Sequence, residues 1–261
     1  MRTYLEVYLP QLCRDLWRLR MSRQEEEDEK EFNRILSVSQ YDEPPIFGRL
    51  QFNVKSPVAS VQSSKEKLKI FQSAIRAQTA QYKYLLSGDV RLEITCFLDK
   101  EKRHESDASA DLDNILKPML DSLAGPEGIL IDDSQIRSLG IKWLSSSSSD
   151  DFVDLDFEFL DSDYIPKDGL VFVNLDRALY LPVNTGLPRA DQRIYWLLML
   201  CLFRGAKVLK QLTGNYNISH GAMMAQRKFH RTRLKGFTVL SRRDYGKYLR
   251  GGPLPVAPAK K

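Results

Sequence analysis

The sequence predicts a mixed α/β fold of the α+β class, in which a small mixed β-sheet carries packed helices and a mainly helical, basic extension follows it. Three observations support this prediction. Apolar and polar residues alternate along several segments between residues 47 and 159, two intervening segments have helical apolar spacing, and positive charge is concentrated after residue 164. The resulting order of strand, helix, strand, helix, strand, strand is typical of helices packed on a small mixed sheet.

Hydrophobic periodicity assigns each element of the predicted core. Helices are expected where apolar residues recur every three or four positions, and strands where they alternate. The predicted strands are 47–54, 90–98, a segment that follows a turn within 128–144, and 152–159. The predicted helices are 64–84 and the amphipathic segment 114–124. Serines 145–149, with Asp150 and Asp151, are predicted to form a polar hairpin loop.

The C-terminal part is predicted to contain two helices. The first covers 190–212, and its ten-residue apolar run at 194–203 is too short to span a bilayer, so a core or dimer-interface helix is expected. The second would run from a Ser219 cap to Lys235, where Gly236 stops it. The predicted organisation is an acidic, helical extension (1–46), a core (47–163), a basic extension (164–250) and a disordered tail (251–261).

Charge is strongly polarised along the chain. The three blocks 1–46, 47–163 and 164–261 carry net charges of −3, −6 and +14, within an overall charge of +5. A basic C-terminal block attracts nucleic acid and makes the affinity salt-dependent. The candidate DNA-binding residues lie in the second predicted helix and are Arg227, Lys228, Arg231, Arg233 and Lys235. A helix that touches phosphates is favoured, and a helix-turn-helix that enters a groove remains the alternative.

The most specific pattern is a pair of acidic segments. Asp111, Asp113 and Lys117 accompany the start of the helix at 114–124, and Asp132 and Asp133 follow a glycine-containing turn. Carboxylates are the ligands that Mg²⁺ prefers, and Mg²⁺ can activate water while it offsets charge on a phosphate. Lys117, four residues after Asp113, supplies a cation on the same helical side. The pattern therefore predicts a magnesium-dependent site that cuts phosphodiesters.

Each segment alone also has an ordinary structural interpretation. An Asp-Leu-Asp-Asn sequence before a helix is common capping chemistry, and Asp-Asp-Ser is common turn chemistry. The combination of both segments with Lys117 at the helical offset favours the catalytic interpretation.

These residues resemble the RusA family of Holliday junction resolvases. That family has an Asp-x-Asp-Asn-x-x-Lys segment that opens a helix and is followed by Asp-Asp-x-Gln. The chain matches it at Asp111, Asp113, Asn114, Lys117, Asp132, Asp133 and Gln135. The segment 55–62, followed by the helical 65–81, is similar to the entry segment of one branch of the family. The resemblance covers about residues 47–160 and leaves both extensions unmatched.

The resemblance implies a RusA-like core in which aspartates bind Mg²⁺, with Mn²⁺ as an alternative, and a homodimer that resolves a four-way junction by paired nicks. By position, Asp111, Asp113 and Asp133 would be the catalytic, metal-binding carboxylates, Lys117 the supporting cation and Asp132 a further metal neighbour. The predicted function is a Mg²⁺-dependent crossover-junction endodeoxyribonuclease in DNA recombination and repair. Two alternatives stay open: a non-catalytic DNA-binding or structural protein with this fold, and a Mg²⁺-dependent enzyme on RNA or nucleotides.

Global features favour an intracellular protein. Three cysteines, Cys13, Cys96 and Cys201, lack metal-ligand spacing and are expected to be reduced thiols. No signal peptide or transmembrane span is recognised, so a cytoplasmic location without membrane contact is predicted.

Overall fold

The structure, a computed structural model, describes residues 39–99, 111–146, 151–217 and 227–255. Residues 41–261 form one compact unit, and residues 1–40 form another. Most of the predicted acidic N-terminal extension lies outside the described residues.

The first sheet contains the four long strands of the core. They are β1 (Arg49–Lys55), β3 (Val90–Asp99), β4 (Ile136–Ser146) and β5 (Phe152–Glu158), in the order β1-β5-β3-β4. β5 runs antiparallel to both β1 and β3, whereas β3 and β4 are parallel. The sheet is therefore mixed, as predicted. Alternation along β3 buries Leu92, Ile94 and Cys96 on the covered face.

Two helices cover one face of this sheet. α1 (Lys65–Thr79) begins at Ser64, whose side chain caps the helix by accepting a hydrogen bond from the amide of Lys67. α2 (Leu112–Leu123) connects the parallel strands β3 and β4 along the chain and packs against α1. The two helices contribute Phe71, Ile75, Ile115, Met119 and Leu123 to the main hydrophobic cluster. The predicted α+β core is confirmed.

Two details of the predicted core are wrong. The helix predicted over 64–84 ends at Thr79, and Tyr84–Leu86 forms the short strand β2 because all three side chains are buried. The serine segment is not a hairpin loop between neighbouring strands, since β3 lies between β4 and β5. Ser145 and Ser146 belong to β4, and residues 147–150 lie outside the described residues.

The C-terminal region contains helices and a second sheet. The helices are α3 (Arg189–Thr213), which confirms the helix predicted at 190–212, and α4 (Arg242–Leu249). The strands are β6 (Tyr164–Pro166), β7 (Leu170–Asp176), β8 (Leu179–Asn184), β9 (Phe229–His230) and β10 (Val239–Leu240). The second sheet has the order β10-β7-β8-β9 and was not predicted, although the apolar run of β7 is a strand signal.

The extension shares a hydrophobic cluster with the core. β6 pairs antiparallel with β2, so the chain returns to the core immediately after β5. Leu85 and Ile131 of the core then pack with Phe172, Phe229 and Leu234 of the extension. The contact fixes the basic region beside the turn that follows residue 131.

The helix predicted from Ser219 to Lys235 is wrong where the structure describes it. Residues 218–226 lie outside the described residues, but Phe229 and His230 form β9 and Arg231–Arg233 form a 3-10 turn. Phe229 pairs with Tyr180 and its ring packs edge-to-face with the ring of Phe172, so tertiary packing overrides helical preference. The helix-turn-helix interpretation, which needed this helix, loses its support.

No helix in the described part of the chain is long and apolar enough to cross a membrane. In the predicted disordered tail, residues 256–261 lie outside the described residues. Gly252 is held by a hydrogen bond from its amide to the carbonyl oxygen of Lys247.

Candidate active site

The first acidic residue sits at the start of α2. Asp111 is the N-cap, and the helix begins at Leu112, one or two residues earlier than the start predicted near Asp113 or Asn114. Its backbone carbonyl accepts the first helical hydrogen bonds, from Asn114 and Ile115. Its side chain makes no capping hydrogen bond, so the exposed carboxylate of Asp111 is left for another partner.

Pro118 ties α2 to the entry segment that precedes α1. It is the seventh residue of the helix and has no amide hydrogen to donate to the carbonyl of Asn114, four residues earlier. The Asn114 oxygen accepts instead from the backbone amide of Val61, at 2.9 Å. The carbonyl that Pro118 leaves without a helical donor therefore attaches the 55–62 segment to the helix.

The solvent side of α2 carries charged residues at intervals of four. Asp113, Lys117 and Asp121 are exposed, while Ile115 and Met119 between them are buried. The predicted placement of Lys117 beside Asp113 on one helical side therefore agrees with the helix that forms.

A sharp return after α2 brings the second acidic segment back to the helix. A Cβ atom on Gly128 would lie 2.1 Å from the carbonyl oxygen of Leu123, so only glycine fits this approach. The amides of Ile129 and Leu130 both donate to that carbonyl, at 2.9 Å. The 3-10 turn Asp133–Gln135 then follows and contacts α2.

Gln135 fixes this turn from inside the protein. Its side chain is completely buried, and its Oε1 accepts from the amides of Ile131 (2.8 Å) and Asp132 (3.0 Å). Its Nε2 donates to the carbonyls of Leu86 (2.8 Å) and Gly88 (2.9 Å). All four hydrogen-bonding sites of the amide are used, which joins the acidic turn to β2 and the start of β3.

Asp132 completes a capping box on the same turn. Its side chain accepts from the amide of Ser134, at 3.1 Å, and from the Arg233 guanidinium, at 2.6 Å. Burial acts to raise the pKa of Asp132, but the hydrogen bonds from Ser134 and Arg233 outweigh it and hold that pKa below its ordinary value. Asp132 is therefore a structural carboxylate with its own cation.

A second arginine of the extension, Arg227, also contacts the acidic turn. Arg227 forms an ion pair with Asp89 and donates to the carbonyl of Ser134, at 3.2 Å. Arg227 and Arg233 are thus directed at the acidic turn, although both were predicted to bind DNA.

Three predicted catalytic carboxylates remain unengaged. Asp111, Asp113 and Asp133 are exposed, and within the described residues no hydrogen bond or ion pair occupies their side chains. No three acidic, histidine or cysteine side chains of the described residues converge closely enough to form a ready metal centre. The free carboxylates fit Mg²⁺ by their oxygen chemistry, on two elements that contact each other.

The comparison with protein families agrees with this geometry. Residues 39–151 match the family model described as endodeoxyribonuclease RusA. Residues 39–151 are therefore similar to the RusA endodeoxyribonucleases. Both acidic segments and Gln135 lie within the RusA match, whereas Arg227 and Arg233 lie outside it. The match also ends just before β5, which completes the first sheet. No curated protein matches the chain.

The other three predicted DNA-binding residues have environments that differ from those of Arg227 and Arg233. Arg231 and Lys235, two residues before and after Arg233, are exposed and not paired within the described residues. Lys228 is half-buried with its ammonium 5.5 Å from the centre of the Phe203 ring, and burial lowers its pKa. The extension therefore places free positive charge beside the acidic turn.

Sequence reasoning missed two contributors to this site. Gln135 was recognised only as a motif match, although the Asp-x-x-Gln spacing of a capping box was a usable signal for its role. Asp89, the partner of Arg227, carried no sequence signal because its neighbour comes from 138 residues away.

Replacing Gln135 with Ala should lower the free energy of unfolding by about 3 kcal/mol, because buried amides and carbonyls lose their partners. Urea denaturation measures this change, and hydrogen exchange at Ile131 and Asp132 should accelerate. Gln51→Ala is the control, since Gln51 donates to Asp156 on the exposed sheet face. Equal stability of the two variants would contradict the stabilising role assigned to the Gln135 hydrogen bonds.

Replacing Arg233 with Ala should destabilise the protein by about 1 kcal/mol near neutral pH. Because the folded-state pKa of Asp132 lies below its ordinary value of 3.8, the stabilisation is present above that value and is lost as the pH falls through the folded pKa. Urea denaturation at a series of pH values should therefore show the two proteins converging in acid. Arg231→Ala should match the wild type throughout, and a pH-independent deficit in Arg233→Ala would refute the ion-pair explanation.

Proposed function

We propose that this protein is a Mg²⁺-dependent endodeoxyribonuclease that cuts four-way DNA junctions, acts in recombination and repair, and works as a homodimer in the cytoplasm. The observation that carries the proposal is the set of free carboxylates, Asp111, Asp113 and Asp133, on two contacting elements of the RusA domain. Buried side chains of the same elements hold them in place, so their exposure is not a consequence of a loose fold.

The residues have distinct proposed roles. Asp111, Asp113 and Asp133 would hold the cation, and Lys117 would donate to a phosphate oxygen from the exposed side of α2. A bound Mg²⁺, or Mn²⁺ in its place, supplies activation of water and offsets charge on the phosphate. Asp132 would keep the turn in shape through Arg233 and Ser134 rather than bind the cation directly, which departs from its predicted role as a metal ligand.

DNA would approach this acidic site along the basic extension. Arg231 and Lys235 offer unpaired charge there, whereas Arg227 and Arg233 are engaged with Asp89 and Asp132. We therefore assign phosphate binding first to Arg231 and Lys235, and to Lys228 after it leaves the Phe203 ring. Attraction by these cations would offset repulsion between DNA and the core.

One observation favours a second candidate function. The described residues contain no ready group of three metal ligands, which is what a DNA-binding protein that has lost catalysis would show. Such a protein would bind junctions equally well in EDTA and would never nick them. Cleavage assays on four-way junction, flap, linear duplex and RNA, with and without Mg²⁺, separate this candidate from the nuclease.

Asp113→Asn should reduce junction cleavage by about 100-fold or more, equivalent to ~2.7 kcal/mol of lost transition-state stabilisation, while junction binding persists. The matched control is Asp121→Asn, which makes the same change on the same exposed side of α2, eight residues further on. Single-turnover cleavage and gel-shift binding give the two readouts. Full activity of Asp113→Asn would overturn the catalytic assignment.

Removing Arg231 and Lys235 together should weaken binding to every DNA substrate and lower the salt dependence of log Kd by about 2, because two phosphate contacts are lost. Lys65→Ala with Lys69→Ala removes the same charge from the exposed side of α1 and serves as the control. Fluorescence anisotropy over a range of salt concentrations measures both slopes. Identical slopes for the two double variants would exclude this phosphate-binding surface.

A further inference from the structure

Helix α3 has two apolar faces, and in the part of the chain that the structure describes only one of them is buried. The inner face buries Trp196, Met199, Phe203 and Ala206 against the second sheet and α4. These residues follow one another at intervals of three and four, as expected for a helix that packs on its own domain.

The other face is a continuous apolar stripe exposed to solvent. We name it the outer seam; its residues are Ile194, Leu198, Cys201, Gly205, Val208 and Leu212. Successive members are separated by four, three, four, three and four residues, which is the spacing of a coiled-coil seam. Ile194 is 66%, Leu198 53% and Leu212 77% exposed. At 100° per residue the outer seam lies nearly opposite the inner face.

Apolar exposure on this scale marks an interaction surface. Single exposed leucines are ordinary, but a contiguous apolar stripe along a 25-residue helix is not. Leu197, 61% exposed, widens the stripe on one side. The spacing of the outer seam indicates that its partner is another helix, because the side chains of a helix would fit between these positions.

The order of side-chain sizes along the seam identifies that helix. Two large residues, Ile194 and Leu198, are followed by the small Cys201 and Gly205 and then by the larger Val208 and Leu212. This large-large-small-small-large-large order reads the same in both directions. A two-fold symmetric interface requires such self-complementarity, because the same patch supplies both surfaces.

We propose that a second copy of this chain docks on the outer seam, with the two α3 helices antiparallel and the two-fold axis near residue 203. Cys201 then faces the partner's Gly205, Leu198 faces the partner's Val208, and Ile194 faces the partner's Leu212. The small residues lie at the crossing point, where they let the helices approach closely. Beyond the backbone of α3 itself, a Cβ on Gly205 would meet no atom of the described residues within 4 Å, so this space is open to a partner.

This inference rests on the homodimer proposed above and assigns its interface to the extension. α3 begins 38 residues after the end of the RusA match, so the interface would belong to sequence outside that domain. The extension would then have two separate surfaces, the outer seam for the partner and the Arg231 region for DNA.

Sedimentation of the full chain, without metal or DNA, tests the interface. Leu198→Glu should raise the Kd of the dimer by about 100-fold or more, because each interface would bury two carboxylates without partners. Gln211→Glu adds the same charge at an exposed position of α3 about 100° from the seam, and it should leave the Kd unchanged. Circular dichroism checks that both variants fold.

Disulfide trapping tests the register. Gly205→Cys should form a disulfide-linked dimer on mild oxidation by pairing with Cys201 of the partner subunit, and adding Cys201→Ser should abolish that product. Gln211→Cys is the off-seam control and should not cross-link.

The outcomes separate this interface from the dimer itself. A monomeric wild type would overturn both the proposed dimer and this inference. A dimer that survives Leu198→Glu would overturn this inference alone, since the copies would then meet elsewhere. A monomer that binds anionic vesicles through Leu198 would overturn it as well, by assigning the seam to a lipid surface.

Discussion

The buried amide of Gln135 is the interaction on which the proposed site depends. Its four hydrogen bonds join the acidic turn, at Ile131 and Asp132, to Leu86 of β2 and to Gly88, two residues before β3. Its side chain has no exposure to solvent. β2 is itself held by the antiparallel strand β6 of the extension. The position of Asp133 thus depends on one side chain whose partners all lie within the RusA match, and one of those partners, β2, is held in turn by the sequence that follows. A buried network of this kind specifies one arrangement because each broken hydrogen bond leaves an unsatisfied polar group.

The extension stabilises the site as well as supplying charge to it. Leu234 and Phe229 pack with Ile131, which immediately precedes the acidic turn. Arg233 and Arg227 then neutralise Asp132 and Asp89 at the edge of that contact. The strong positive charge of the C-terminal block is therefore divided between arginines that form ion pairs within the fold and exposed cations, to which we assign DNA binding. A count of charges along the sequence cannot make this division, because it depends on which side chains meet across more than one hundred residues.

The two faces of α3 also have different roles. Its inner face completes the second hydrophobic cluster, and its outer seam is exposed and is the surface that we propose for a partner. The sequence already excluded a membrane span for its apolar run and left core and dimer interface as the alternatives. The structure shows that one helix can serve the first role with one face and keep the other face available. The acidic site in the RusA-matched region, the basic region around Arg231 and the outer seam are consequently three separate surfaces of one compact unit.

The sequence alone determined the elements whose stability is local. Periodicity located β1, β3, β5, α2 and α3 to within a few residues, because each buries a repeating apolar face. The spacing of Asp113 and Lys117 fixed their common side of α2 for the same reason. Tertiary structure decided what local signals do not contain. The short strands β2, β6 and β9 exist through their pairing. The 229–235 segment is not an α-helix, because Phe229 pairs in β9 and packs in a hydrophobic cluster, and β3 lies between β4 and β5. It also decided that Asp132 forms an ion pair with Arg233, whereas no ion pair within the described residues involves Asp111, Asp113 or Asp133, since an ion pair depends on which distant side chains the fold brings together.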